Sequence, residues 1–139
     1  CVVSIVGSNA IFPGNTNHFS TPAWTYQNKE LPFVPVNDDA VPFLMKRDLR
    51  GAFEAMLKDT TAVEKAAIKV EQIKGPLLFL SATKDEICPS TLMAESMIAR
   101  LSNRNFKYYY EHKAIDGGHA EPLKNFDIVL SFLAAHFLK

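Results

Sequence analysis

The run Asp116-Gly117-Gly118-His119-Ala120-Glu121 sets a histidine directly behind a Gly-Gly turn that itself follows a strand-like segment. A short, backbone-permissive loop of this kind can hold an imidazole over a cleft, where α/β enzymes carry a general base. A base needs a group to orient it. Thr83-Lys84-Asp85-Glu86, behind the apolar run Leu77 to Ser81, offers carboxylates on a second loop of the same type. A carboxylate that accepts the proton of one imidazole nitrogen fixes the tautomer and stabilises the imidazolium. The other nitrogen is then left to take a proton from a nucleophile. On residue type alone, Asp85 and Glu86 both qualify as the partner of His119.

A nucleophile is harder to place. The G-x-S-x-G elbow that presents one between a strand and a helix does not occur in the sequence. The serine of Gly7-Ser8-Asn9 follows its glycine directly, with no helix signal behind it, and Ser4 and Ser81 lie inside strand-like runs. Cys88, before Pro89, reads as buried packing at a helix start. Where the chain order is nucleophile, acid, base, the nucleophile precedes the acid by a strand and more, which puts it before Cys1. His18, His112 and His136 read as structural, and Glu121 as a cap for the last helix. Asp38-Asp39 lacks a partner ligand at metal-binding spacing. Cys1 and Cys88 form no metal or redox spacing either, so neither metal nor cofactor is expected.

Groups on two loops can meet only if the fold sets those loops side by side. Val2 to Val6 is a β-branched run stopped by Gly7-Ser8-Asn9, which predicts a fully buried parallel strand. Over residues 9–47, Pro13, Pro22, Pro32, Pro35 and Pro42 forbid long helices, leaving an irregular excursion with a short hairpin. Leu49, Phe53, Met56 and Leu57 then share one helix face. Thr61 to Glu64 has capping-box spacing, and Val63, Ala66, Ala67, Val70 and Ile73 continue a second helix to Gly75-Pro76.

Leu77 to Leu80 follows as a buried strand. Pro89 opens a helix to about Leu101, with Met93, Met97 and Leu101 on one face. Phe106 to Ile115 alternates, with lysines on one face, as a half-exposed or edge strand. Leu123 to Leu138 forms a last helix striped by Phe126, Val129, Leu130, Leu133 and Phe137. This order predicts an α/β fold of about three parallel strands flanked by helices, one domain over residues 1–139. Ligands gather beyond the carboxyl ends of such strands, and both polar clusters fall there.

Composition narrows the classes. Fifteen basic and fifteen acidic residues cancel without a basic tract, so no nucleic-acid or anionic-membrane footprint is present. No apolar stretch approaches the roughly 20 residues of a membrane span. The cysteine usage points to a reducing, cytoplasmic compartment. The chain opens as if in the middle of a strand, which suggests a fragment of a larger domain. The bare edge at residues 2–6 is then expected to be covered by a second copy of the chain or by residues upstream.

Cys1-Val2-Val3-Ser4-Ile5-Val6-Gly7-Ser8 with Gly14-Asn15-Thr16, Leu31-Pro32, and Val70 to Ser81 resemble the acyl-CoA thioester hydrolase and bile acid-CoA:amino acid N-acyltransferase family. The resemblance covers essentially the whole chain and corresponds to the C-terminal half of that family's catalytic domain. It implies a partial α/β-hydrolase fold. It aligns the family's acid with Asp85 in Lys84-Asp85-Glu86-Ile87-Cys88-Pro89-Ser90, and its histidine with His119. The chain departs from the family at Cys88, where Trp is common and lines the acyl pocket.

The implied reaction is hydrolysis of an acyl-CoA thioester, or transfer of the acyl group to an amino acid amine. CoA thioester is the substrate, and the nucleophile is a Ser or Cys upstream. A dienelactone-hydrolase-like esterase is the neighbouring alternative, and a non-catalytic truncated domain or binding module is the alternative of another class.

Overall fold

Leu77-Leu78-Phe79-Leu80-Ser81-Ala82 is buried at every position, as a parallel strand flanked by strands and covered on both faces must be. In the computed structural model, which describes residues 1–138, the chain begins with β1 (Val2–Ile5). A two-residue-arm hairpin of β2 (Thr25–Tyr26) and β3 (Lys29–Glu30) follows. Helices α1 (Val41–Met45), α2 (Leu49–Met56) and α3 (Thr60–Ala66) come next, then β4 (Leu77–Ala82), α4 (Ser90–Asn103), β5 (Tyr110–Ile115) and α5 (Phe126–His136). No helix among the described residues is long and apolar enough to cross a membrane.

The residues cluster into two compact units. One comprises Cys1–Ser8 and the chain from Lys69 onward. Its sheet has the order β1-β4-β5, parallel throughout, with Val2 opposite Leu77 and Leu77 opposite Tyr110. Because side chains alternate across a strand, β4 feeds two cores. Leu77 and Phe79 pack with Val70, Ala94, Met97 and Leu101 on the α4 side. Leu78 and Leu80 pack with Val129 and Phe132 of α5, joined by Val3 and Ile5 of β1. The α/β fold of three parallel strands with helices on both faces is therefore present.

Several elements differ from expectation. β1 is half-buried rather than fully buried, because it lies at the sheet edge with β4 on one side. β5 begins at Tyr110, not Phe106. The rings of Phe106 and Tyr110 meet edge to face at 6.0 Å, and both pack against the α4-side core. The last helix is preceded by a 3-10 segment, Glu121–Asn125. Its buried residues are Val129 and Phe132, while Leu130 and Phe137 are exposed, so the face turned inward is rotated from the expected stripe.

Asn9–Ile68 forms the second unit. Within it, Phe12 and Phe53 pack edge to face at 4.9 Å, and Val34, Ala40, Ala52, Ala55 and Met56 are buried. Asp48 caps α2 by accepting the Gly51 N–H at 2.9 Å. The second helix does not start from a Thr61–Glu64 capping box. Asp59 is its N-cap, accepting from the Ala62 N–H at 2.9 Å. It also stops at Ala66 instead of running to Ile73. Ala67 turns extended to bridge Ala10, and the Ile68 N–H donates to Asn9 O at 2.9 Å. Tertiary pairing overrides a helical periodicity that continues in the sequence.

Candidate active site

β4 and β5 are neighbouring parallel strands, so the loops leaving their carboxyl ends emerge side by side. Both loops lie in one unit, and hydrogen bonds zip them together. Thr83 N donates to Ile115 O and Lys84 N to Gly117 O, each at 2.9 Å. The Asp116 carboxylate accepts from Thr83 Oγ1 and Lys84 Nζ, each at 3.0 Å. The Lys84 hydrogen bond, followed by that of Thr83, draws the Asp116 carboxyl below its ordinary range. The ion pair is exposed, so it aligns the loops more than it stabilises the fold.

This zipper brings Asp85 and His119 together. His119 Nδ1 lies 2.9 Å from Asp85 Oδ1 and 3.0 Å from Oδ2. Asp85 is fully buried, while the His119 side chain is 35% exposed, so the pair has a closed end and an open end. Asp85 Oδ1 also accepts the N–H groups of Ile87 at 2.9 Å and Cys88 at 3.0 Å. Burial pushes the Asp85 carboxyl up. Hydrogen bonds from Ser90, from the Cys88 and Ile87 amides and from His119 more than offset it, holding the group below its ordinary range. Facing an ionised carboxylate, Nδ1 carries the proton and donates, which leaves Nε2 as an acceptor.

Glu86 takes a different place. Its Oε2 accepts the backbone N–H of His119 at 2.9 Å, so it holds the main chain while Asp85 holds the ring. That contact leaves no trace in residue types and was not legible in the sequence. Nor was the approach of Cys88, whose buried thiol lies 3.8 Å from Asp85 Oδ2.

The remaining histidines lie elsewhere. His112 Nε2 is 2.7 Å from Ser81 Oγ, which is also 2.9 Å from Thr91 Oγ1. Ser81 is fully buried, so this serine–histidine contact is a polar pair within the sheet that a substrate cannot reach. His136 stacks on Tyr109 with centroids 4.4 Å apart, and His18 is exposed. Asp38 and Asp39 fall in the other unit.

A family model described as BAAT / acyl-CoA thioester hydrolase C terminal matches residues 1–122, a span that includes both loops and every residue of the pair's surroundings. Comparisons with curated proteins and with solved structures found no match.

Proposed function

Because this chain belongs to the BAAT / acyl-CoA thioester hydrolase C-terminal family, we propose that it supplies the acid and base of an acyl-CoA thioesterase or acyl-CoA:amino acid N-acyltransferase site. Asp85 is the orienting acid and His119 the general base. The observation that carries this reading is the contact of a buried, hydrogen-bonded carboxylate with Nδ1 of a half-open imidazole.

His119 Nε2 takes the proton of a Ser or Cys nucleophile as that atom attacks the thioester carbonyl. Asp85 stabilises the imidazolium that results. As the tetrahedral intermediate collapses, the carbon–sulfur bond breaks and the imidazolium proton goes to the departing CoA sulfur. The acyl-enzyme then passes its acyl group to water or to an amine, with His119 accepting a proton from the attacking group. On this reading the nucleophile is a Ser or Cys outside these 139 residues, in which no G-x-S-x-G or G-x-C-x-G elbow occurs.

Release of free CoA from acyl-CoA, by the protein that joins this chain to its nucleophile segment, tests the assignment. Asp85→Asn and His119→Ala are each expected to lower kcat by about 10⁴-fold. Undiminished turnover in either variant would overturn the roles of acid and base. Turnover by the 139-residue chain alone, abolished by His119→Ala, would instead show that the chain holds its own nucleophile.

A further inference from the structure

The thiol of Cys88 lies beside the Asp85–His119 pair, and thioester cleavage gives it no task. Its Sγ is 3.8 Å from Asp85 Oδ2, and His119 Nδ1 is 3.0 Å from the same oxygen. One donor atom from each of the three side chains lies within 4.8 Å of the other two. Zinc held by carboxylate oxygen, imidazole nitrogen and thiolate sulfur has bonds of about 2.0–2.3 Å, which in a tetrahedron sets donor atoms about 3.4–3.6 Å apart. The two separations from Oδ2 bracket that range. The third, between the Cys88 thiol and the His119 imidazole, is the widest of the three and lies within 4.8 Å, so an ion is held once those two side chains close on each other by about 1 Å.

The surroundings suit an ion as well. The Ile87 and Cys88 amides hold Asp85 Oδ1, which fixes the carboxylate with Oδ2 toward the thiol and both oxygens within 3.0 Å of His119 Nδ1. Asp85 and Cys88 are buried while the imidazole is partly exposed, so entry is from the imidazole side. Three protein ligands and one position open to solvent is a coordination zinc accepts. The donor set of one thiolate, one imidazole and one carboxylate selects thiophilic d¹⁰ ions over magnesium or calcium.

We propose that Asp85, Cys88 and His119 form a binding site for a thiophilic divalent cation of the zinc–cadmium class. Bonds form from the metal to Oδ2, Sγ and Nδ1. The thiol gives its proton to solvent, and the imidazole proton is exchanged through solvent from Nδ1 to Nε2. One proton therefore leaves per ion bound, and no oxidation state changes. The site does not depend on the catalytic reading of the pair. If that reading holds, an occupied site silences the base, because Nε2 then bears a proton.

Titration of the full chain with Cd²⁺, followed by thiolate-to-cadmium charge-transfer absorption in the ultraviolet, tests this. The chain has two cysteines, so any band in Cys1→Ser comes from Cys88. A saturating one-to-one band in Cys1→Ser is expected, with its affinity lowered at least tenfold when His119→Gln is added. No band in Cys1→Ser, or an affinity unaffected by His119→Gln, overturns the site. Neither readout involves turnover, so the metal site and the hydrolase reading can fail separately.

Discussion

The Glu86 carboxylate accepts the backbone N–H of His119 at 2.9 Å while the adjacent Asp85 engages that histidine's ring. Consecutive acids on one loop thus grip the main chain and the side chain of a single residue on another. The bond from the His119 amide is the largest influence on Glu86, drawing its carboxyl below the ordinary range. Removing this acceptor in Glu86→Ala is expected to speed hydrogen exchange at the His119 amide by about tenfold, as local opening becomes easier. In the acyl-CoA assay it should lower kcat by about 10- to 100-fold through misplacement of the His119 imidazole. Glu86→Gln, which keeps a carbonyl acceptor, should fall between. Identical exchange in all three proteins would show that Glu86 does not hold the loop.

Gly117 is required by backbone geometry. Its φ is +146°, and an added Cβ would overlap Glu121 Cγ and sit 2.7 Å from Glu121 Cβ. Gly117→Ala should cost about 1–3 kcal/mol of stability, measured by urea unfolding. Gly118→Ala meets only the flexible tip of Glu86, at 2.8 Å. Its effect should be smaller in unfolding and visible chiefly as faster exchange of the His119 amide.

Gly51 lies inside helix α2, where alanine ordinarily gains about 1 kcal/mol over glycine. Here the sign should reverse. A Cβ would overlap Phe43 Cδ1 and sit 2.6 Å from Asp48 Oδ2, striking a ring and the helix cap at once. Gly51→Ala is expected to destabilise the protein by about 1–3 kcal/mol. A rise in the urea midpoint would refute this packing of Phe43 against α2.

The pH dependence of stability should carry the mark of Glu71. Arg100 grips it with Nε at 2.6 Å and a second nitrogen at 2.8 Å, both side chains being largely buried. Led by that hydrogen bond, the Glu71 carboxyl is lowered from 4.5 to about 2. The folded value lies below the unfolded one, so the contribution is complete above about pH 4.5 and is lost as pH falls toward 2. Unfolding at pH 7 and pH 3 should show Glu71→Gln costing about 2 kcal/mol at the higher pH and much less at the lower. Equal costs at both would show that the ion pair contributes nothing to stability.

The parts of this fold that are legible in the sequence are those set by one segment's own pattern. The unbroken apolar run of β4 and the Met93–Met97–Leu101 face of α4 are both buried as their periodicities require. What escapes is decided by distant partners. Nothing local ends α3 at Ala66, because the cause is the pairing of Ala67 with Ala10. The stripe of α5 is wide enough to be buried in several rotations, and the sheet selects Val129 and Phe132. At the site, strand-end loops announce Asp85 and His119. Whether Asp85 or Glu86 meets the ring depends on side-chain direction within a turn, which residue types leave open. Cys88 escapes because spacing rules look for ligands along one segment, whereas these donors come from two loops.

The pairing of β1 with β4 has a kinetic consequence. β4 and β5 are separated by a single helix, whereas all of residues 9–68 lie in the chain between β1 and β4, with which it pairs in a register that sets Val2 opposite Leu77. Closing the longer loop costs more chain entropy, and its contacts repay that cost only once β4 is in place. The strand first in the chain is thus expected to be the last to join the sheet. Truncations at Val3 should leave the folding rate nearly unchanged and speed unfolding, whereas those at Leu78 should slow folding.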